Sequence, residues 1–419
     1  MTDVFSPADI LLPDPEKSDF YLWSVIACDQ FTGDPDYWAS VRQIVGDQPS
    51  TLHCILPEIY LEEPDAESRI TAIQETMQNY LDQDYFKIYP DAMIYTERIQ
   101  SDGKLRAGVI GKIDLECYDY MPGSQSPVRA TEATVLERIP PRMKVREHAV
   151  LELPHIMLLI HDPENFAIGS CTEQKNQMQM LYDTDLMQDG GHVTGYLMNP
   201  AQQAQFTQRL TQVLEHNPGL QFAMGDGNHS LATAKACYEK LKQENPETAM
   251  QSPARYALVE LVNLHSDALE FEAIHRILTG IDPDALIAEL TEKLELSENP
   301  ENPGKNQDLS IILLRNQEQK KLFIHNPKAK LAVGCLQPVL DAYLKTHPGK
   351  IDYIHGVETV RKLSAKPDAL GILLPDMDKN LLFPSVAQDG ALPRKTFSMG
   401  HAQDKRYYME SRKIRKKIK

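Results

Sequence analysis

The chain has 419 residues, of which 42% are hydrophobic and 25% charged, an ordinary composition for a globular protein of two or three domains. Its formal net charge of −17 argues against a nucleic-acid-binding surface, which needs a basic balance or a basic stripe. No segment approaches the roughly 18 consecutive apolar residues of a membrane span, and the first residues lack the basic start and apolar core of a signal peptide.

The first region, which we place at residues 1–125, mixes short helices with strands. Pro35 suits the first position of a helix, and apolar residues recur at helical spacing in a second segment. Two apolar segments flank the turn Ser101-Asp102-Gly103 and are therefore expected to pair as strands. These patterns predict helices at 36–44 and 66–81 and strands at 93–99 and 105–115.

The second region, residues 126–296, alternates helical and apolar patterns. An apolar segment at 150–160 is interrupted by Pro154. The patterns that follow predict a helix at 201–216, a strand at 220–224, a helix at 231–241 and a strand at 255–264. We interpret the last three as a βαβ-like unit, whose parallel strands would place the connecting turn at the carboxyl edge of a sheet.

A polar segment rich in Pro and Asn, residues 297–307, predicts a linker before a third region at 308–419. Apolar and periodic segments in that region predict strands at 309–314, 321–325, 351–354 and 369–374 and helices at 336–344 and 358–363. The fold class is therefore α/β or α+β, with mixed sheets. Six cysteines form no CxxC pair, which predicts reduced thiols in a cytoplasmic protein.

The segment Gly225-Asp226-Gly227-Asn228-His229-Ser230, between a predicted strand and a predicted helix, has the features of a phosphate site. Two glycines allow a sharp turn and a close approach to a ligand, and the helix start directs free N–H groups at the turn. Asp226 adds a carboxylate for Mg²⁺ or a hydroxyl, and His229 adds an imidazole. The alternative is that Asp226 caps the helix and His229 bonds to the backbone. Neither a P-loop nor a GxGxxG pattern is present.

Cations are clustered elsewhere in this acidic chain, and arginine suits bidentate binding of phosphate. Glu132 lies among several of them, which would hold its pKa low and make it a candidate general base. Each group also has a purely structural interpretation. The basic residues between 129 and 146 could form a salt-bridged helix face, His275 and Arg276 could be polar residues at the boundary of the core, and the turn at Lys395 could be a surface loop. The candidates for phosphate binding are Arg129, Arg138, Arg142, His275, Arg276, Lys395 and Thr396, and Asp29 and Gln30 are candidates for substrate binding.

Several motifs together resemble the bacterial family called domain of unknown function 1015. They are Ile26 to Thr32, Ile55-Leu56-Pro57-Glu58, Gly225 to Lys235, His275-Arg276 and Leu392 to Phe397. That family is similar to the ParB/sulfiredoxin-like superfamily, which includes nucleotide-dependent free-serine kinases. Some members of the domain of unknown function 1015 family act as pyrophosphate-dependent serine kinases. The resemblance implies a ParB/sulfiredoxin-like core with flanking α/β regions. It also implies that Asp226 holds the metal or orients a hydroxyl and that Gly227, Asn228 and His229 form a phosphate cradle, with Ser230 where Arg is usual. Gly225 and Ser230 are further candidates for phosphate binding.

On this basis we predict a phosphotransferase that interconverts L-serine and O-phospho-L-serine, with pyrophosphate as donor and Mg²⁺ as cofactor. In-line transfer needs positioning and charge neutralisation, for which Asp226 and the basic residues are the candidates. One alternative is an ATP- or ADP-dependent serine kinase of the same fold. The other is a regulator that binds a nucleotide or phosphoserine without chemistry. No nucleic-acid or membrane partner is predicted, and the sequence does not give an oligomeric state.

Overall fold

The structure, a computed structural model, describes residues 4–217, 219–300, 309–316, 318–325 and 327–415. The chain forms two compact units. Unit 1 comprises Met1–Ala130, Thr134–Leu269 and Gly400–Lys419, and unit 2 comprises Thr131–Ala133 and Glu270–Met399. The predicted regions 1–125 and 126–296 both contribute to unit 1, because strands from each region are neighbours in one sheet.

The strands in chain order are β1 (Phe5–Ser6), β2 (Ala8–Pro13), β3 (Phe86–Ala92), β4 (Ile94–Ile99), β5 (Leu105–Asp114), β6 (Tyr118–Asp119), β7 (Val128–Arg129), β8 (Leu151–Glu152), β9 (Met157–Ile160), β10 (Gln179–Asp185), β11 (His192–Leu197), β12 (Phe222–Asp226), β13 (Tyr256–Asn263), β14 (Phe271–Ala273), β15 (His275–Thr279), β16 (Ser310–Arg315), β17 (Glu318–Phe323), β18 (Lys350–Ile354), β19 (Ala369–Leu373), β20 (Phe397–Met399) and β21 (Arg412–Lys413). The α-helices are α1 (Phe20–Trp23), α2 (Pro35–Val45), α3 (Ala66–Asp82), α4 (Ile139–Arg146), α5 (Ile168–Gln174), α6 (Pro200–Glu215), α7 (Asn228–Glu244), α8 (Pro246–Met250), α9 (Pro283–Leu294), α10 (Ala332–Thr346), α11 (Val357–Leu363) and α12 (Leu382–Asp389).

Unit 1 is built on a mixed sheet, which has ten strands within the described residues. Its order is β10-β11-β4-β5-β13-β9-β12-β7-β6, and β1 pairs with β5. The four strands from β10 to β5 are antiparallel neighbours, whereas β13 and β9 are parallel. Side chains from these strands and from α6 and α7 form one buried core, which includes the fully buried Leu158, Met224 and Leu261. The mixed α/β class is therefore confirmed.

The predicted helices of unit 1 are confirmed, and local chemistry explains their ends. Asp34 caps α2 by accepting from the N–H of Tyr37, with Pro35 at the first position. Asn199 caps α6 in a capping box with Gln202. The predicted strand pair is also confirmed, as β4 and β5 are antiparallel around Gly103, which has a φ of 82°.

The predicted βαβ unit is wrong in its strand pairing. β12 and β13 are not neighbours, because β9 lies between them. β9 is antiparallel to β12 and parallel to β13, so β12 and β13 run in opposite directions. A strand from earlier in the chain thus occupies the position at which a parallel partner was expected. The glycine turn still follows the carboxyl end of β12 and opens α7.

Unit 2 contains an antiparallel sheet with the order β17-β16-β19-β15-β18 in the described residues. Leu314, Val360 and Leu373 form one of its buried clusters. A separate two-stranded pair joins β14 to β20. The strands and helices predicted in this region are all observed, with ends shifted by a few residues. Of the predicted linker 297–307, residues 301–307 lie outside the described residues.

Candidate functional site

The glycine turn requires glycine at its centre. Gly227 is the N-cap of α7, with a φ of 79° and a ψ of 26°, in the left-handed region that side chains disfavour. A Cβ at this position would also lie 3.0 Å from the Cα of Ile156. Within the described part of the chain, no side-chain hydrogen bond caps the helix. Its first N–H groups, which have no partner within the helix, are therefore left to bind an anion.

Asp226 is the last residue of β12 and does not cap α7, so the helix-cap alternative is wrong. Its carboxylate lies 3.8 Å from the ammonium group of Lys405, and the side chains are 23% and 25% exposed. The two groups attract each other, but the distance is longer than that of a direct charge-assisted hydrogen bond. Asp226 thus does not cap the helix, and its partly exposed carboxylate is accessible to a small ligand.

Three buried polar atoms around the turn have no hydrogen-bond partner in the part of the chain that the structure describes. They are Asn228 Oδ1, His229 Nε2 and His155 Nδ1. Buried polar atoms in folded proteins are nearly always paired, since leaving one unpaired costs about 1–3 kcal/mol. These three atoms, two at the helix start and one on the neighbouring His155, are therefore free to bond to a polar ligand.

Arg138 and Arg142 both act on the imidazole of His229. Burial lowers the pKa of His229 to about 4, and the positive charges of Arg142 and then Arg138 contribute to the same shift. Helix α4, which contains Arg142, packs against α7. The arginine also pairs with Glu58 and donates to the carbonyl of Arg138 at 2.7 Å. The structure thus brings two of the predicted cations to the turn, beside a neutral histidine.

The low pKa of His229 predicts a pH dependence of stability. The unfolded chain binds a proton near pH 6.5, whereas the folded protein does so only near pH 4. The contribution of His229 to stability is therefore fully present above about pH 6.5 and is lost as the pH falls towards 4. NMR titration of the imidazole is expected to show no protonation between pH 5 and 8. A midpoint near 6.5 would contradict the buried, cation-flanked position.

Asp29, predicted to bind substrate, lies in the same unit as the glycine turn. Burial raises its pKa, but the charge of His155, a hydrogen bond from Gln30 and the charges of Lys405 and Arg142 lower it overall. The Gln30 amide donates to the Asp29 carboxylate at 3.0 Å. Asp29 is therefore ionised at neutral pH and suited to hold a cationic group.

Ser230 is the third residue of α7, and its hydroxyl lies 2.6 Å from His155 Nε2. The imidazole packs edge-on against Tyr407, with ring centroids 5.1 Å apart. Ser230, His155, Tyr407 and Arg142 line one cavity of about 130 Å³, whose other walls are mainly apolar. Sequence reasoning missed His155 and Lys405. For His155, the one indication in the sequence is Pro154, which interrupts an apolar segment just before it.

Arg129 does not belong to this cluster, contrary to the prediction. It is buried, and its guanidinium donates to the carbonyls of Ser126 at 2.9 Å and Ser124 at 3.2 Å and to that of Gly219. Backbone acceptors therefore occupy the donors of this side chain. Its role is to hold the loop before β7.

Glu132 belongs to unit 2, where its carboxylate accepts from the backbone N–H groups of Lys395 at 3.3 Å and Thr396 at 3.1 Å. Burial raises the pKa of Glu132, so the expectation that neighbouring cations hold it low is wrong. Lys395 has a φ of 60°, and the hydroxyl of Thr396 donates to the Pro393 carbonyl at 2.5 Å. These contacts fix the Pro-Arg-Lys-Thr turn within unit 2.

His275 and Arg276 begin β15 of unit 2 and are both buried. Nδ1 of His275 accepts from the N–H of Leu374 at 3.2 Å, and burial lowers its pKa. Arg276 donates to Gln337 at 3.2 Å and lies over the ring of Tyr353, and burial lowers its pKa to about 10. Both side chains thus have partners within their own unit.

Residues 7–343 match the family described as protein of unknown function (DUF1015). No curated protein matches the chain. A search of solved structures finds distant neighbours. A free serine kinase in complex with AMP has a TM-score of 0.38 and 12% identity over 73% of this chain and 90% of that chain. A conserved hypothetical protein from Pyrococcus furiosus has a TM-score of 0.35 and 10% identity over 69% and 90%.

SbnI with a C-terminal truncation, from Staphylococcus aureus, has a TM-score of 0.36 and 8% identity over 70% of this chain and 82% of that chain. At this level of similarity, function has to be argued from the residues of the site, and the ParB/sulfiredoxin-like core stays a prediction. None of the helices in the described residues has the length and apolar character needed to cross a membrane.

Proposed function

The chain belongs to the DUF1015 family, and we propose that it is a phosphotransferase that interconverts L-serine and O-phospho-L-serine, with pyrophosphate as the phosphoryl donor. The observation that supports this most directly is the set of unpartnered buried atoms, Asn228 Oδ1, His229 Nε2 and His155 Nδ1, at an uncapped helix start. Such a start binds phosphate oxygens through backbone N–H groups. The unpaired side-chain atoms supply the remaining polar partners of a small ligand.

In unit 1, cationic side chains bind the phosphoryl donor and an anionic side chain binds the amino acid. Arg142, Arg138 and Lys405 neutralise the phosphoryl oxygens, whose charge is spread over the transferred group in the transition state. Neutral His229 donates or accepts one hydrogen bond without adding charge. Ionised Asp29 binds the ammonium group of the amino acid, and Gln30 keeps that carboxylate in place. Positioning and neutralisation are the main requirements of such a transfer.

Mg²⁺ is compatible with this set of residues. The ion is usually held by one or two carboxylates together with substrate phosphates and water, and does not need a cage made only of protein ligands. Asp226 and the unpaired Oδ1 of Asn228 offer two oxygens at the turn. When bound there with the donor, the ion supplies further neutralisation of the phosphoryl oxygens. Glu132, His275, Arg276, Lys395 and Thr396 have partners within unit 2 and are not used in this proposal.

The proposal is tested by incubating the purified protein with L-serine, Mg²⁺ and each donor in turn, and following phosphoserine by mass spectrometry. We expect product from pyrophosphate and poor use of ATP. The reverse reaction, from phosphoserine and phosphate, should yield serine and pyrophosphate. Product from ATP but none from pyrophosphate would change the donor and leave a serine kinase. Serine binding without product from any donor would favour a regulator.

Acceptor specificity provides a second measurement on the same protein. Because buried polar partners of the amino and carboxylate groups would be left unpaired, acceptors that lack either group should be rejected strongly. Threonine differs by one methyl group, so a tight pocket should discriminate against it by only about 1–3 kcal/mol. Equal rates with serine and with an acceptor lacking the amino group would contradict the role of Asp29.

A further inference from the structure

The hydroxyl of Ser230 has an unusual partner for its position. A serine in the first turn of a helix commonly bonds to nearby backbone. Here Ser230 Oγ lies 2.6 Å from His155 Nε2, a residue 75 positions earlier in the chain. His155 is only 6% exposed, and its Nδ1 has no partner among the described residues. The ring is held against Tyr407 at a centroid distance of 5.1 Å.

A serine hydroxyl is a weak nucleophile and becomes effective when an adjacent base takes its proton. In the tautomer that leaves Nε2 unprotonated, the Ser230 hydroxyl donates to His155 and is arranged for that transfer. His155 is also close enough to Asp29 for its charge to lower the pKa of that carboxyl. Ser230, His155 and Asp29 thus supply a nucleophile, its base and a carboxylate.

The position of Ser230 also suits a phosphorylated product. It is the third residue of a helix that runs from Asn228 to Glu244 and has no side-chain cap. The free N–H groups and the positive end of the helix dipole stabilise negative charge in this turn. The positive charges of Arg142 and Arg138 act on the neighbouring residue, His229. A phosphoryl group on Ser230 would therefore have both backbone donors and cations nearby.

We propose that Ser230 is a catalytic nucleophile that carries the phosphoryl group between donor and acceptor, with His155 as its base; this inference rests on the proposed function. Ser230 Oγ bonds to one phosphorus of pyrophosphate. The bond from that phosphorus to the bridging oxygen breaks, and its electron pair leaves with phosphate. The Ser230 proton passes to His155 Nε2 and then to the departing phosphate.

The second half of the reaction is the reverse of the first with a different acceptor. The hydroxyl oxygen of L-serine bonds to the phosphorus held on Ser230, and the bond from phosphorus to Ser230 Oγ breaks. The electron pair of that bond stays on Ser230 Oγ. His155 takes the proton of the substrate hydroxyl and returns a proton to Ser230. The enzyme is regenerated, and no oxidant or further reactant is required.

The test is to incubate the full chain with radiolabelled pyrophosphate and Mg²⁺ in the absence of L-serine, and to locate the label by peptide mass spectrometry. We expect one phosphoryl group on Ser230, which is lost when L-serine is added. Initial rates with both substrates varied should follow ping-pong kinetics. Ser230→Ala should abolish labelling and reduce turnover at least 100-fold. His155→Gln, which keeps the hydroxyl, should slow labelling by a similar factor.

Ser68→Ala removes an exposed helix hydroxyl that donates to the Asp65 carbonyl, and it serves as the matched control with unchanged labelling and rate. Phosphoserine production without label on Ser230, with intersecting kinetics, would overturn this inference and leave the proposed function standing. Label on Ser230 that L-serine does not remove would keep the nucleophile and reject serine as the acceptor. Neither label nor product with any donor would reject both.

Discussion

The Asp226→Asn variant is expected to lose about two to three orders of magnitude in turnover while folding normally. The substitution keeps the shape of the side chain and removes the charge that the proposal assigns to metal and phosphoryl binding. Asp226 does not cap α7, so the helix does not depend on it. Its nearest cation, Lys405 at 3.8 Å, is partly exposed and contributes little to stability. Steady-state rates and thermal unfolding measure the two effects separately.

Asp36→Asn is a suitable control for this variant. Asp36 is an exposed carboxylate in the first turn of α2, far along the chain from the glycine turn, and the substitution removes the same charge. Its rate should equal that of the unsubstituted protein. Full activity in a folded Asp226→Asn protein would exclude the carboxylate from the reaction. If Asp226→Asn also needs a higher Mg²⁺ concentration to reach half of its maximal rate, the carboxylate acts in metal binding.

The Glu152→Gln variant is expected to lose about 3–5 kcal/mol of unfolding free energy, the usual cost of removing one partner from a buried ion pair. The Glu152 side chain is 3% exposed and accepts from Arg412 at 2.7 Å and Arg146 at 2.5 Å. It also accepts from the N–H of Leu258 at 2.8 Å. An amide in its place leaves the buried Arg412 and the partly buried Arg146, whose side chain is 18% exposed, without a compensating charge. Urea unfolding followed by circular dichroism measures the loss.

Glu67→Gln provides the matched comparison, since it breaks the exposed pair with Lys144. The side chains of Glu67 and Lys144 are 73% and 59% exposed, so the change should cost less than about 1 kcal/mol. Because Arg146 ends α4, which also contains Arg142, Glu152→Gln should weaken donor binding as well as stability. Equal stability losses in the two variants would show that water reaches the Glu152 cluster.

The glycine turn was predictable from sequence because its causes are local. A residue with a φ of 79° favours glycine, and the helix that follows begins with the buried residues Leu231, Ala232 and Ala234. The same reasoning located α2, α3 and α6 and the β4–β5 pair. Each of these depends on residues within a few positions of one another.

Glu132 and Arg129 show why chain proximity misleads about a site. Both precede Arg138 and Arg142 by a few residues, which suggested one basic cluster. In the structure, Thr131–Ala133 belongs to unit 2, and Arg129 turns to three backbone carbonyls of unit 1. The partner that a side chain contacts depends on the course of the backbone. The backbone passes from one unit to the other within a few residues.

The sequence by itself determined the α/β class, six of the helices, eight of the strands and the position of the glycine turn, because periodicity and backbone preferences act over short distances. Only the tertiary structure decided that β9 separates β12 from β13 and that His155 and Lys405 lie beside the turn. His155 is 75 residues from Ser230 along the chain, and no local pattern relates the two. Their contact arises when the buried core forms, since packing of the sheet against α7 brings distant segments together.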